Sequence, residues 1–151
     1  MKRNIALLLL GILPLPLGYA LNFVILSLPS SSILLYAVSI GFLLLWVLLA
    51  RRVSAREGRP IVQALLLSAF GLLMLLLAFY QELVMGRYWV NLFGAAPQLY
   101  FLPLLSLGFT LSNVLIQPFL PTLEMWLVYL LAWLLFFAAG CAGCFWKTRG
   151  K

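Results

Sequence analysis

The residue types that most often carry acid–base chemistry are nearly absent from this sequence. It contains no histidine and no aspartate, and its three carboxylates are Glu57, Glu82 and Glu124. Histidine-based catalysis, paired-aspartate sites and the HExxH zinc motif are therefore excluded. We expect no enzymatic activity, no cofactor and no bound metal.

Two of the carboxylates fall in segments that we predict to lie on the external side of the membrane. Glu82 and Glu124 could face one another there and take up a proton or a cation. In the alternative interpretation, Glu82 is solvated beside Arg87, and Glu124 lies in the first turn of the last helix. The helix dipole favours negative charge at that position. We favour this second interpretation.

Two cysteines near the C-terminus, Cys141 and Cys144, have the spacing of a redox or metal-binding pair. A thiolate at either position would be somewhat activated by Lys147. Two ligands do not make a tetrahedral zinc site, however, and nothing in the sequence identifies a redox partner. We expect reduced, dispensable cysteines that pack at the end of a helix on the reducing side of the membrane.

The composition defines the class of protein. Of 151 residues, 66% are hydrophobic and 9% are charged, and the mean hydropathy is +1.15. A soluble domain has roughly 25% charged residues, so this chain must use lipid as its solvent. We predict one all-helical, multi-pass membrane domain over residues 1–151. The net charge of +7 comes from residues at the ends of apolar runs, which indicates membrane topology and not a nucleic-acid partner.

A basic loop between two apolar runs sets the predicted topology. It contains four arginines, Arg51, Arg52, Arg56 and Arg59. Basic residues in short loops stay on the cytoplasmic side, so we expect this loop and both basic ends of the chain to lie inside. The same arginines should attract anionic lipid headgroups, by about 1 kcal/mol per residue near the surface.

Four apolar runs have the length and composition of transmembrane helices. They cover about residues 5–28, 33–50, 61–80 and 123–146. Pro14 and Pro16 lie well inside the first run and predict a kink or local unwinding there. With both termini cytoplasmic, nine of the ten Lys and Arg residues are inside and only Arg87 is outside.

A fifth segment, about residues 99–117, is apolar but contains prolines and polar residues. Its longest uninterrupted part, residues 104–117, would reach ~21 Å as a helix, which is short of the ~30 Å hydrocarbon core. We predict a broken re-entrant or interfacial element on the external side, protected by other helices. Five transmembrane spans are the alternative, and they would place the basic C-terminal tail outside.

Two functions are compatible with this architecture. The first is a non-enzymatic accessory or assembly subunit of a bacterial cytoplasmic membrane, packed against a larger membrane partner or a second copy of itself. The alternative is a transporter or channel for a small molecule or ion, with a site framed by residues 97–121 and the kinked first helix. The predicted polar lining of that site is Asn22, Glu82, Arg87, Gln98, Ser106, Thr110, Ser112, Asn113 and Glu124.

The interior of the bundle discriminates between the two functions. A filled interior favours the accessory subunit, and an enclosed polar cavity favours the transporter. We also expect Asn113 to depend on a protein partner more than Ser54 does, because Ser54 belongs to the predicted solvated loop.

Overall fold

The computed structural model describes residues 2–27, 32–55, 58–120 and 123–149, and within these ranges all regular secondary structure is helical. The helices are α1 (Lys2–Ile12), α2 (Pro14–Ser27), α3 (Ser32–Val53), α4 (Pro60–Phe79), α5 (Leu92–Phe101), α6 (Leu105–Leu115) and α7 (Met125–Arg149). A π-helical turn, Tyr80–Val84, extends α4, and a 3-10 turn, Leu102–Leu104, joins α5 to α6.

Five of the resulting helical segments are long and apolar enough to cross a membrane. They are Asn4–Ser27, Ser32–Val53, Pro60–Val84, Leu92–Leu115 and Met125–Thr148. The all-helical expectation is therefore confirmed, and the five long apolar helices are consistent with a membrane protein. The four runs expected to span are among the five, and the additional one contains most of the segment that we expected to be broken.

Prolines interrupt that additional segment less than the sequence suggests. Pro97 lies inside α5 and Pro103 lies in the 3-10 turn, and the helical segment continues past both residues. The helical region therefore begins at Leu92 and not near residue 99. The expectation that only residues 104–117 form continuous helix is wrong, since 24 residues are helical without a gap.

The first segment has a break at the expected position. α1 ends at Ile12 and α2 begins at Pro14. Neither Pro14 nor Pro16 can donate a backbone hydrogen bond, and the intervening Leu13 N–H bonds three residues back, to the Leu10 carbonyl oxygen at 3.0 Å. The two prolines thus separate one membrane-length segment into two helices.

α7 runs antiparallel to α4 along its length. At one end the rings of Phe79 and Trp126 lie 5.0 Å apart. Further along, the Trp133 indole N–H donates to the Ser68 carbonyl oxygen at 3.2 Å. At the other end Gly140 lies against Ala64. The start of α7 is therefore beside the end of α4.

α7 runs parallel to α3. Phe136 packs edge-on against Trp46, with ring centroids 5.2 Å apart, and Gly143 lies against Ala50. Beyond them, the Arg51 guanidinium carbon is 4.1 Å from the centre of the Trp146 ring, a cation–π contact. The end of α7 is therefore beside the basic loop that follows α3.

Aromatic side chains fill the centre of the bundle. Trp46, Tyr100, Phe101, Tyr129 and Phe136 are all buried. Phe136 contacts Trp46 and Tyr100 on either side, with centroids 5.2 and 5.6 Å away, and Phe101 stacks on Tyr129 at 5.4 Å. These rings join α3, α5 and α7 at the level where α5 ends.

α5 and α6 both pack in the half of the bundle that contains the start of α7. Tyr100, at the inner end of α5, donates its hydroxyl to the Gly11 carbonyl oxygen at 3.0 Å. On α6, the hydroxyls of Ser106 and Ser39 are hydrogen-bonded at 2.6 Å, and Gly108 lies on Val128. α6 thus contacts the first half of α3 and the first half of α7.

The contact between α2 and α5 depends on Gly18. A Cβ atom at that position would overlap the Leu99 carbonyl oxygen, so Gly18→Ala should lower the free energy of unfolding by about 1–3 kcal/mol. Gly41→Ala is the matched control, because no atom lies within 4 Å of a Cβ added there. It should stabilise the helix by about 0.5–1 kcal/mol.

Unfolding of both variants by SDS, titrated from a mild detergent, measures the difference. Equal shifts of the two midpoints would show that α2 and α5 do not approach one another as closely as described.

Candidate functional site

The Glu82 carboxylate lies in the π-helical turn after α4 and binds the start of α7. Its Oε1 accepts a hydrogen bond from the Met125 N–H at 3.0 Å, and its Oε2 accepts one from the Trp126 N–H at 2.9 Å. The first N–H groups of a helix lack partners within the helix, and the helix dipole favours an anion beside them. Glu82 therefore caps α7 from a different helix.

Glu124 does not have that role. It precedes α7, is exposed, and accepts a hydrogen bond from the Trp126 indole N–H. Arg87 is also exposed, and its backbone N–H donates to the Gln81 carbonyl oxygen at 3.1 Å. We expected Glu124 to serve the start of the last helix and Glu82 to be solvated. In the structure Glu82 binds the backbone N–H groups at the start of α7 instead.

Two further side chains fix the turn that carries Glu82, and the sequence analysis missed both. Tyr88 donates its hydroxyl to Glu82 Oε2. Gln81 is fully buried and its Oε1 accepts from the Trp89 N–H at 3.1 Å. Their position in the sequence could have identified them, since both are polar or aromatic residues within six positions of Glu82 at the end of an apolar helix.

Tyr88 is held as a hydrogen-bond donor. Burial is the largest cause of a raised pKa for its hydroxyl, and the hydrogen bond and negative charge of Glu82 raise that pKa further. A raised phenol pKa keeps the proton on Tyr88 through the neutral range and well into the alkaline range. The oxygen of Tyr88 can still accept a hydrogen bond from another group.

A polar cavity of about 360 Å³ lies beside this turn, between α2, α5 and the start of α7. Its walls include Asn22, Tyr88, Gln98, Leu99, Met125 and Tyr129. Within the described part of the chain, the side-chain amides of Asn22 and Gln98 have no hydrogen-bond partner. Of the predicted lining, the structure brings Asn22 and Gln98 together here, with Glu82 behind Tyr88.

Three of the other predicted lining residues, Ser106, Thr110 and Ser112, lie on α6 and away from this cavity. Ser106 and Thr110 form hydrogen bonds to α3, Ser106 with Ser39 and Thr110 with the Tyr36 hydroxyl, both at 2.6 Å. Ser112 is buried, and its hydroxyl has no hydrogen-bond partner among the described residues. These three side chains therefore face neighbouring helices and not the polar cavity.

The expected contrast between Asn113 and Ser54 is reversed. Asn113 is exposed, whereas Ser54 is fully buried and donates to the Arg51 carbonyl oxygen at 3.3 Å. The reason is that Gln63 folds the loop back, accepting from the Ala55 N–H at 2.5 Å and donating to the Ala55 carbonyl oxygen at 3.2 Å. The start of the basic loop is thus packed, not solvated.

A second cavity, of about 370 Å³, lies between α2, α3 and α6. It is lined by aliphatic side chains such as Val24 and Val38, by Phe109 and by Ser106. This apolar cavity shares two wall residues, Leu102 and Leu105, with the polar cavity. The two cavities are therefore adjacent, with the Leu102 and Leu105 side chains between them.

At the opposite end of the bundle, the residues expected to meet anionic lipid are partly engaged. Arg51 is exposed but covers Trp146, and Arg52 and Arg59 are exposed. Arg56 lies outside the described residues, as does Glu57. Arg52 and Arg59 are therefore the described loop cations that are exposed without an aromatic partner among the described contacts.

The two cysteines lie near that same end. Both are free thiols in the structure; Cys141 is half-buried and Cys144 is buried. The described residues contain no group of three or more histidine, cysteine or acidic side chains close enough to hold a metal. The role of the pair stays a prediction.

Comparisons with known proteins do not identify a family. No family model matches the sequence, and neither a curated protein nor a solved structure is significantly similar to it. The functional argument therefore depends on the geometry of the chain itself.

Capping by Glu82 predicts an unequal effect of removing the Glu82 and Glu124 carboxylates. Glu82→Ala should lower the free energy of unfolding by about 1–3 kcal/mol, because three donors, two of them at the start of α7, lose their charged acceptor. Glu124→Ala should change it by less than about 0.5 kcal/mol, as expected for an exposed side chain. SDS unfolding in mixed micelles measures both, and a larger loss for Glu124→Ala would refute the assignment.

Proposed function

We propose that this protein is a small, non-enzymatic accessory or assembly subunit of a membrane complex and does not conduct solutes. The observation that supports this proposal is the aromatic centre formed by Trp46, Tyr100, Phe101, Tyr129 and Phe136, all buried. Close-packed side chains leave few voids that would admit a water molecule. A solute path along the bundle axis would have to displace these rings.

The cavities support the same proposal by their positions. The polar and apolar cavities lie at the Glu82 end, whereas a cavity lined by Asn4, Arg59 and Gln63 lies at the basic-loop end. The aromatic centre separates the two ends. The transporter alternative has the polar cavity in its favour, since that cavity lies between the kinked first segment and α5. Among the described residues, however, the aromatic centre lies between this cavity and the basic-loop end.

We further propose four membrane spans, with the Leu92–Leu115 segment as a re-entrant element. The binding of Glu82 to Met125 and Trp126 means that residues 85–124 leave and rejoin the bundle at one end. A segment between such points crosses the bilayer an even number of times. Two crossings need about 40 helical residues, whereas the continuous helical part of this stretch, Leu92–Leu115, has 24, so the contacts support no crossing. Packing on α2, α3 and α7 supplies the protection that such an element requires.

The proposed orientation places the basic loop and both ends of the chain in the cytoplasm. α7 ends beside Arg51, so the end of α7, with Lys147, lies on the same side of the membrane as the loop arginines. Basic residues favour the cytoplasmic face, and the cytoplasmic membrane of a bacterium is the location proposed. The partner is proposed to be a larger membrane protein or a second copy of the chain.

Cysteine labelling with a membrane-impermeant maleimide tests this topology. In a Cys141→Ser, Cys144→Ser background, Val90→Cys should be labelled from outside, because Val90 is fully exposed in the external turn. Arg59→Cys and Thr148→Cys should be labelled only after the membrane is opened. External labelling at position 148 would contradict four spans and favour five.

Reconstitution into liposomes tests the absence of conduction. Vesicles containing the protein should keep an imposed proton or potassium gradient as long as empty vesicles do, because the aromatic centre fills the interior. A pH-sensitive dye inside the vesicles reports the decay, and an added ionophore is the positive control. Faster decay with the protein than without it would support the channel alternative and refute the proposal.

A further inference from the structure

The polar and apolar cavities at the Glu82 end together have the form of a site for an amphiphilic molecule. Their volumes are about 360 and 370 Å³, each within the range of ~300–1,000 Å³ typical of small-molecule sites. Leu102 and Leu105 belong to the walls of both, so a molecule lying across these two side chains would enter both cavities.

The apolar cavity offers a ligand no free polar group among its described walls. The Ser106 hydroxyl already donates to the Leu35 carbonyl oxygen at 3.2 Å and pairs with Ser39. The remaining walls are aliphatic or aromatic, including Val24, Val38 and Phe109. Because such a space offers water no hydrogen-bond partners, its walls favour a hydrocarbon chain.

The size of the apolar cavity fits one chain. Its volume of about 370 Å³ is near the lower end of the ~300–1,000 Å³ range of small-molecule sites. A cavity of that size suits one acyl chain of medium length.

The polar cavity offers hydrogen bonds without a positive charge. The amides of Asn22 and Gln98 have donors and acceptors unused within the described residues, and the Tyr88 oxygen can accept. No lysine or arginine is among the described wall residues, and the Glu82 carboxylate lies behind Tyr88. A phosphate or carboxylate placed there would lie near a negative charge, with no basic side chain among the described wall residues to pair with it.

We propose that these two adjacent cavities bind a single-chain amphiphile with a small, uncharged, hydrogen-bonding headgroup, the chemistry of a monoacylglycerol. The headgroup hydroxyls bind the Asn22 and Gln98 amides, and the chain passes Leu102 and Leu105 into the space between α2, α3 and α6. This assignment goes beyond the accessory role and is independent of whether the protein conducts.

Photolabelling of the purified full-length protein in lipid nanodiscs tests the site. The probe is a monoacylglycerol with a diazirine in its acyl chain, and mass spectrometry locates the labelled residues. We expect labels on α2, α3 and α6 around Val24, Val38 and Phe109. Unlabelled monoolein should compete, whereas oleate should compete at least tenfold more weakly because its headgroup is anionic.

Variants separate the two halves of the site. Gln98→Leu removes one amide from an exposed position and should weaken monoolein competition about tenfold, the effect of losing one hydrogen bond of ordinary strength. Val38→Trp should fill the apolar cavity and abolish labelling there. Leu73→Trp is the matched control, because Leu73 on α4 is 58% exposed. It should change neither the labelling nor the competition.

Two results would overturn the proposal. Labels spread evenly over the lipid-facing helices, and unchanged by Val38→Trp, would mean that the probe only solvates the protein as bilayer lipid does. Equal competition by oleate and monoolein would mean that the polar cavity does not select an uncharged headgroup. If Val38→Trp fails to fold, the competition experiment on the unmodified protein and the Val24→Trp variant still decide the matter.

Discussion

The structure depends on the attachment of the Glu82 carboxylate to the first two N–H groups of α7. A helix start inside or near a bilayer must have its N–H groups satisfied, because lipid offers no acceptors. Glu82 provides those acceptors from the end of α4, 43 residues before Met125. This single contact fixes where α7 begins, and α7 in turn contacts α3, α4 and α6. The return of the chain between α4 and α7 follows from the same contact.

α7 then determines how closely the other helices approach. Gly143 lies against the backbone of α3 near Val47, and Gly108 of α6 lies against the backbone of α7 near Val128. Small residues allow backbones to meet at such distances, and van der Waals packing is the main source of association between helices in lipid. The buried aromatic rings occupy the space that remains between these backbone contacts. The result is a centre filled by aromatic rings, with the polar cavity toward the Glu82 end of the bundle.

The class of protein and most of its helices could be predicted from the sequence, because composition and the lengths of apolar runs depend only on local residues. The break between α1 and α2 was equally accessible, since Pro14 and Pro16 act on their own turns. The role of Glu82 was not, because its partners are distant in sequence and nothing nearby distinguishes a cap from a solvated carboxylate. The same limit explains Ser54, whose burial depends on how Gln63 folds the loop. For the polar cavity, Asn22 and Gln98 were identifiable as polar residues in apolar segments, but only packing separates them from Ser106 and Thr110, which bind α3.

The position of α7 in the chain has a consequence for biosynthesis. α7 is the most extensively buried of the five membrane-length segments, and it is made after the helices that it covers. At ~5–20 residues per second, residues 85–149 take on the order of 3 to 13 seconds to emerge from the ribosome. During that interval the inward face of α3, with Phe42 and Trp46, has no Phe136 to pack against. Until α7 is made, these two rings therefore lack the aromatic partner that covers them in the finished protein, and the interior of the bundle can close only at the end of synthesis.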